Sequence, residues 1–245
     1  MSAVMAVLLA AQSPIIVAHR GLAGRAPENS LAAFRASIER GVSVIELDLR
    51  LTANRQLVVI HDATLDRTTS CTGQVGAMEL ARVRACKVSG SERVPTFAEV
   101  LALVRGRPVH ILADVKDGTP IGPVLEAVRD EHAEQQVILG LRSVKHVARA
   151  RTALPGTTIL AFMPRRTDAS AFAAAGAHII RLWSDWVEAD SNLVGRTRAL
   201  GADVWILVGR SLPRQVADWP ALHGRMIATG AQGLITDRAD LIDAP

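Results

Sequence analysis

The sequence predicts an α/β protein, a (β/α)8 TIM barrel with a small β-hairpin insertion after strand 2. Nine apolar, β-branched runs of strand length recur along the chain, and helix-like patterns separate them. This alternation is typical of a parallel sheet covered by helices. Only the segment RLTANRQ separates the second run from the third, which is too short for a parallel crossover of about a dozen residues. These two runs therefore form an antiparallel hairpin, and eight runs remain for the barrel.

The strand-like runs set the order of the predicted elements. They cover residues 15–19, 44–49, 57–61, 110–115, 136–141, 158–162, 178–183, 204–208 and 233–236. In the first helical segment, SLAAFRASIER, Leu31, Phe34 and Ile38 share one face, and Gly41 can close the helix. Because no Ser-, Gly- or Pro-rich linker divides the chain, we expect one domain over residues 1–245, with residues 1–14 as a lead-in segment.

The composition fits a globular protein that acts on small molecules. Of the 245 residues, 49% are hydrophobic and 3% aromatic, with no Tyr, so aliphatic side chains must fill a large core. The net charge of +4 comes from basic residues scattered along the chain rather than gathered in a stripe. Nucleic acid is therefore not an expected partner, whereas a small anionic substrate is.

The N-terminus and the cysteines bear on the cellular compartment. MSAVMAVLLAAQSP lacks a basic n-region and is too short to span a bilayer, so we predict no integral membrane segment. A weak signal peptide at residues 1–12 is the minority alternative to a cytoplasmic protein. Cys71 and Cys86 are expected to be free thiols in a reducing compartment, and a single bridge between them is the alternative.

Polar residues cluster where four consecutive predicted strands end, which is where a (β/α)8 barrel carries its active site. If the hairpin turns near Asn54 and Arg55, His61 returns roughly opposite Asp48. Glu46 and Asp48 are two residues apart and therefore on one face of their strand, as are Asp114 and Lys116. The complete set is His19, Arg20, Glu46, Asp48, His61, Asp62, Asp114 and Lys116.

These residue types together indicate metal-assisted phosphoester chemistry. Glu46, Asp48 and Asp114 would repel one another without a cation, and oxygen ligands suit one divalent ion, Mg²⁺ or Ca²⁺, better than zinc. Two histidines can serve as general acid and general base near neutral pH. Arginine and lysine at the same strand ends supply positive charge for an anion.

The motifs AHRG, PENS, IELD, VVIHD and LDRTTSCTG strongly resemble those of the glycerophosphodiester phosphodiesterase family, within the superfamily of phospholipase C-like phosphodiesterase barrels. VPTFAEVL resembles the segment before that family's next strand, and GLITDRADLI resembles its closing strand and loop. The resemblance runs across nearly the whole chain in the family's order. It is dense from His19 to Gly73 and thinner in the second half.

The resemblance implies roles for the clustered residues. His19 and His61 would be the catalytic acid–base pair, and Arg20 and Lys116 would contact the phosphate. Glu46, Asp48 and the carboxylate at position 114 would bind the metal. In the family, a substrate hydroxyl beside the phosphorus or a water attacks, and the usual products are glycerol 3-phosphate and an alcohol such as choline or ethanolamine.

Several positions depart from the family pattern. Position 114 carries Asp where the hydrolases usually have Glu, although the related sphingomyelinase D-like barrels use a D-x-K arrangement. In VWILVG, Ile206 and Gly209 replace the Thr and Asn of the family's W-T-V-N pattern, and the retained Trp205 is assigned to substrate binding.

Further departures fall on two other strands. Leu141 and Arg142 stand where a Ser-Phe pair is common. Trp183 and Trp186 are expected in the core or at the rim, with a role in the pocket as the alternative. These changes predict a more apolar upper pocket with fewer polar partners for glycerol.

The predicted function is hydrolysis of a glycerophosphodiester, or of a lysophospholipid-like diester, to a phosphomonoester and an alcohol. The first alternative keeps the metal and phosphate site for lyase, transferase or cyclase chemistry on a lipid or isoprenoid phosphate or diphosphate. The second is a barrel that binds phosphorylated ligands without catalysis. The sequence indicates no oligomeric state.

Overall fold

The computed structural model describes residues 14–88, 92–209 and 218–242. The expected lead-in segment and the alternative signal peptide fall outside the described residues, apart from position 14 of the lead-in. The bounds below refer to the described part of the chain.

Eight parallel strands form a closed barrel, which confirms the predicted fold class. In their order around the ring, the barrel strands are β1 (Ile15–Ala18), β2 (Val44–Leu51), β6 (His110–Val115), β7 (Val137–Leu141), β8 (Thr158–Ala161), β9 (Ile179–Trp183), β10 (Asp203–Leu207) and β11 (Gly233–Thr236). Pairing of β11 with β1 closes the ring.

Strand β3 (Leu57–Val59) pairs antiparallel with β2, as the short connection predicts. Arg55 adopts a φ of +61° in the turn. The register puts Leu49 opposite Val59, and the Ile60 amide donates to the Asp48 carbonyl at 3.0 Å. His61 therefore lies one residue beyond the position opposite Asp48.

Helices surround the barrel and bury one face against it. In the first helix, Ser30 caps the N-terminus by accepting from the Ala33 amide, Phe34 is buried, and Gly41 follows the C-terminus with a φ of +77°. None of the described helices is long and apolar enough to cross a membrane. The helices are α1 (Leu31–Glu39), α2 (Leu80–Ala85), α3 (Phe97–Val104), α4 (Ile121–Asp130), α5 (Val144–Ala153), α6 (Ala169–Ala174), α7 (Ser184–Ala189), α8 (Leu193–Arg198) and α9 (Trp219–Ala228).

The insertion after β3 is more structured than the sequence predicts. It contains α2 and a two-stranded sheet of β4 (Lys87–Val88) and β5 (Glu92–Arg93), and it has its own apolar cluster. Cys71 and Cys86 form a disulfide with their Cα atoms 5.5 Å apart, so the expectation of two free thiols is wrong. The turns of the insertion bring two residues fifteen positions apart into bonding distance, which the spacing alone does not reveal. A disulfide favours an oxidising compartment, so the predicted cytoplasmic location gains no support from it.

Inside the barrel, large apolar side chains fill the space below the active-site end. Trp205 is the largest fully buried side chain, and a Cβ atom at Gly233 would lie 2.7 Å from its ring. Gly140 makes room for the Phe162 ring in the same way, with 2.5 Å between a built Cβ and the ring. The glycines on β7 and β11 thus leave room for the aromatic rings of Phe162 and Trp205.

Candidate active site

The C-terminal ends of the barrel strands surround a cavity of about 1050 Å³. One side is charged and comes from β1, β2, β6 and the loop after β3. The opposite side comes from β8, β9 and β10 and is largely apolar, with Phe162, Met163, Trp183 and Leu207 among its residues. A site of this size and mixed character suits a small molecule that combines an anionic group with an apolar or uncharged one.

His19 follows β1 and lies between two carboxylates. Its Nδ1 is 2.6 Å from Asp237 Oδ1, and its Nε2 is 3.9 Å from Glu46 Oε2. Burial opposes a charge on this ring, but Glu46 and Asp237 outweigh it and raise the pKa of His19 above its ordinary value. The Asp237 contact orients the ring so that Nε2 is the nitrogen on the Glu46 side.

Arg20 contacts the carboxylates with both its backbone and its side chain. Its φ of +55° turns the chain after β1, and its amide donates to Glu46 Oε2 at 2.8 Å. Its guanidinium donates to Glu28 at 2.9 Å and lies 3.3 Å from Asp48 Oδ2. Gly21 follows with a φ of +79°, and a Cβ there would lie 2.8 Å from the Ala33 Cβ, so this turn requires glycine.

The PENS motif supports the same site. Glu28 holds Arg20, and Asn29 holds Asp48 by donating from Nδ2 to Oδ2 at 2.7 Å while its Oδ1 accepts from the Asp48 amide. Ser30, next in the chain, caps α1. Three consecutive residues therefore connect the first helix to the charged side of the cavity.

Glu46, Asp48 and Asp114 form a buried triad in which one oxygen from each lies within 4.8 Å of the others. Asp48 and Asp114 are register partners on neighbouring strands, which brings these two carboxylates together. Burial and the Asp48 charge raise the pKa of Glu46 to about 7. A cation would relieve this repulsion, and the all-oxygen donor set fits a hard divalent ion.

Lys116 balances part of this negative charge. Its Nζ lies 2.5 Å from Asp48 Oδ1 and 2.5 Å from Asp114 Oδ2. Burial opposes ionisation of Asp48, but Lys116 and Arg20 overcome it and hold the pKa of Asp48 below its usual range. Asp48 is therefore a permanent anion between two cations.

His61 is held by a chain of ionic contacts from the insertion. Its Nδ1 lies 2.6 Å from Asp62 Oδ1, and Arg67 donates to Asp62 at 2.6 Å and to Glu28 at 2.7 and 2.9 Å. Burial lowers the pKa of His61, although Asp48 and Asp62 oppose that shift. The contact from Arg67 and the contact from His61 lower the pKa of Asp62 to about 2. Arg67 thus connects the residue that orients His61 with the residue that holds Arg20.

The apolar side of the cavity contains one buried guanidinium. Arg181 on β9 is 2% exposed, and its guanidinium carbon lies 4.0 Å from the Trp183 ring centroid and 5.4 Å from that of Phe162. Aromatic faces stabilise a cation in this geometry. Of the described residues from 158 to 209 that line the cavity, Arg181 is the only charged one.

Eight residues, Trp205 among them, are predicted to have catalytic, metal-binding or substrate-binding roles; the structure brings seven of them together, and six of these line the cavity. These six are His19, Arg20, Glu46, His61, Asp114 and Lys116. Asp48 lies directly beneath them, in contact with Lys116.

Trp205 lies elsewhere, in the barrel interior at 1% exposure, and is absent from the described lining of the cavity. Its side chain points into the layer that packs on Gly233, so its expected contact with substrate is not seen. Ile206 faces the outer core, whereas Leu207 and Gly209 of the same segment reach the cavity. Trp183 also lines the cavity.

Sequence reasoning did not assign roles to five residues that orient the site. Each lies in a motif already noted, but the motif does not show which side chain the residue contacts. The five are Glu28, Asn29, Asp62, Arg67 and Asp237.

Comparison with known proteins agrees with this geometry. Residues 19–203 match the model of the glycerophosphoryl diester phosphodiesterase family. A glycerophosphodiester phosphodiesterase of Caldanaerobacter subterraneus subsp. tengcongensis is 34% identical over 152 residues, which cover 55% of this chain and 63% of that protein. The chain thus matches a little under two thirds of the length of that relative.

Solved structures share the fold over most of the chain. The crystal structure of a glycerophosphodiester phosphodiesterase from Agrobacterium tumefaciens has a TM-score of 0.79 at 26% identity, covering 94% of this chain and all of the other. An Oleispira antarctica phosphodiesterase in complex with the product sn-glycerol-3-phosphate has a TM-score of 0.77 at 19% identity, covering 92% of this chain and 93% of the other. The second likeness is one of fold.

Proposed function

Because this chain belongs to the glycerophosphodiester phosphodiesterase family of phosphoric diester hydrolases, we propose that it hydrolyses a glycerophosphodiester to a phosphomonoester and an alcohol. The observation that carries this proposal is the convergence of two oriented histidines on one buried carboxylate triad in the cavity. Arg20 and Lys116 lie among the same groups and supply positive charge for the phosphate.

The two histidines differ in a way that suits proton transfer in opposite directions. His19 has its pKa raised, which favours the protonated ring, so we assign it as the general acid that donates its Nε2 proton to the leaving alcohol. His61 has its pKa lowered, which favours the neutral ring, so we assign it as the general base whose Nε2 accepts the proton of the attacking group, a water or a substrate hydroxyl beside the phosphorus. In each ring, an Asp on Nδ1 holds the imidazole in the required orientation.

We further propose that Glu46, Asp48 and Asp114 hold one divalent cation, Mg²⁺ or Ca²⁺. Asp114 accepts three hydrogen bonds, one from Lys116 and two from Arg142, and a carboxylate has about four lone-pair sites, so one remains. Glu46 accepts a bond from the Arg20 amide and retains further sites. When bound, such a cation stabilises negative charge on the phosphoryl oxygens.

The substrate proposal draws on the relatives and on the cavity. The relatives from Caldanaerobacter subterraneus and Agrobacterium tumefaciens are glycerophosphodiester phosphodiesterases, and the Oleispira antarctica phosphodiesterase was solved with sn-glycerol-3-phosphate. The apolar side, with Phe162, Trp183 and Leu207, is compatible with a lysophospholipid-like diester as well as a glycerophosphodiester. Both yield a phosphomonoester and an alcohol.

Product analysis by mass spectrometry tests this function. Glycerophosphodiesters, lysophospholipids and prenyl diphosphates are incubated with the protein and added Mg²⁺ or Ca²⁺. We expect one equivalent of alcohol and of phosphomonoester from a diester, no turnover in EDTA, and a loss of several orders of magnitude in kcat for His19→Ala and for His61→Ala. His146→Ala, on the outer helix α5, is the matched control with normal turnover.

The product identity also separates the other chemistries. A cyclic phosphate or a transfer product would contradict hydrolysis and favour the lyase, transferase or cyclase alternative. Tight binding without turnover on any diester would indicate a binding barrel. Alcohol release that survives both histidine substitutions would refute the assigned acid–base pair.

A further inference from the structure

Arg142 presents a guanidinium to the cavity at the end of β7. It directly follows the strand, it lines the cavity, and its side chain is 28% exposed. Its Nε donates to Asp114 Oδ1 at 3.1 Å, and its Nη2 donates to Asp114 Oδ2 at 2.5 Å. Two parallel bonds to one carboxylate hold the plane of the guanidinium in a single orientation.

Phe162 supports the same guanidinium. The Arg142 guanidinium carbon lies 5.2 Å from the centroid of the Phe162 ring, in the range of a cation–π contact. That ring in turn packs over Gly140, where any Cβ would clash with it. The orientation of Arg142 therefore costs little entropy when a ligand arrives, because Asp114 and Phe162 already impose it.

Arg142 keeps a nitrogen that can donate to a ligand. Nε and Nη2 bond to Asp114, and Nη1 makes no hydrogen bond to any residue in the described part of the chain. Arg142 and Lys116 share the Asp114 Oδ2 oxygen, each at 2.5 Å, so the two cationic groups are close neighbours. Arg20 adds a third cation on the other side of Asp48.

We propose that Arg142 binds a non-bridging oxygen of the scissile phosphate, together with Arg20 and Lys116, and that Asp114 positions it for this contact. The proposal rests on the proposed function, since it assigns a further substrate-binding residue to the same site. The positive charges of Arg20, Lys116 and Arg142 balance the negative charges of the carboxylate triad. The charge of a bound divalent ion is therefore left to attract the phosphate. A guanidinium suits this role because its planar fork can bond to Asp114 and to a phosphate oxygen at once.

Calorimetric titration of the whole protein with sn-glycerol 3-phosphate and with inorganic phosphate, in EDTA at fixed ionic strength, tests the contact apart from turnover. We expect Arg142→Gln to weaken binding about tenfold or more, since hydrogen bonds between charged groups contribute that much. Arg142→Lys should bind with intermediate affinity, because it retains the charge but not the fork. Arg149→Gln removes the same charge from an exposed position on α5 and should bind as the wild type does.

A double-substitution cycle tests whether Arg142 contacts the phosphate or only neutralises the charge of Asp114. In the Asp114→Asn background the carboxylate charge is already absent, so Arg142→Gln should still weaken phosphate binding several-fold if Arg142 contacts the ligand. An effect below about twofold in that background would overturn the proposal. Should Arg142→Gln fail to fold, as judged by circular dichroism, an Arg142→Lys affinity equal to the wild type would overturn it instead.

The two proposals fail in different ways. Normal diester turnover with unchanged phosphate affinity in the Arg142 variants would overturn this contact alone. Absence of binding of both probes to the wild type, together with absence of turnover, would overturn the proposed function as well.

Discussion

Asp237 Oδ1 lies 2.6 Å from His19 Nδ1, so the residue after the last barrel strand orients the histidine that follows the first strand. The pairing of β1 with β11, with Ala18 beside Thr236, brings the two positions together. The contact fixes the orientation of the His19 ring, so that Nε2 faces the charged side of the cavity. Asp237 is a positioning residue for His19.

Asp237→Asn is expected to lower kcat by about 100-fold, because the amide orients the ring less well and lacks the negative charge that favours protonated His19. KM should change little, since Asp237 contacts the histidine and not the phosphate. Steady-state kinetics on a glycerophosphodiester checks both constants. Asp168→Asn, which alters a surface ion pair with Arg165, is the control, and equal kcat values for the two variants would contradict the role.

Cation binding should release protons from Glu46. Burial and Asp48 raise its pKa to about 7, so near pH 7 a large fraction of the free protein carries a proton there, and a cation requires the carboxylate. The affinity for Mg²⁺ or Ca²⁺ should therefore fall as the pH drops below about 7. Calorimetry in buffers of different ionisation enthalpy measures the released protons.

Glu46→Gln should abolish both the binding and the proton release. Glu126→Gln, at an exposed position of α4, is the matched control. Wild-type cation affinity in Glu46→Gln would exclude Glu46 as a ligand.

Trp205→Phe should affect stability and not substrate binding. The side chain is buried in the barrel against Gly233. The smaller phenylalanine ring leaves a cavity there, which lowers the free energy of unfolding by about 1–3 kcal/mol. Urea unfolding measures the loss, and KM for the diester should stay within about twofold. A raised KM at unchanged stability would instead restore the substrate contact expected from the sequence.

Replacing both cysteines by serine should lower the free energy of unfolding by about 3 kcal/mol, because the disulfide closes a short loop and so reduces the conformational entropy of the unfolded chain. Its two half-cystines are fifteen positions apart. Urea unfolding of the oxidised protein and of the Cys71→Ser/Cys86→Ser variant gives the difference. Two reactive thiols in the unreduced, denatured protein would show that the bond does not form.

Much of the site could be predicted because catalytic barrels place functional groups at strand ends, and strands are visible as apolar runs. His19 directly follows β1, and Asp114 is the last residue but one of β6. Glu46 and Asp48 are two residues apart and therefore lie on one face of β2. The family resemblance implies a substrate role for Trp205, but a motif does not fix the layer of the barrel in which its side chain lies. Its layer depends on the stagger between β10 and its neighbours.

The sequence alone predicts the fold class, the hairpin and the cluster of carboxylates, histidines and basic residues at the strand ends, since periodicity and residue chemistry are properties of neighbours in the chain. The contacts of His19 with Asp237, of Arg67 with Glu28, and of Arg142 with Asp114 arise only in the folded barrel. Closure brings together groups as far as 218 residues apart, and no local pattern encodes such a pairing. The orientation and charge of each functional side chain depend on these distant partners.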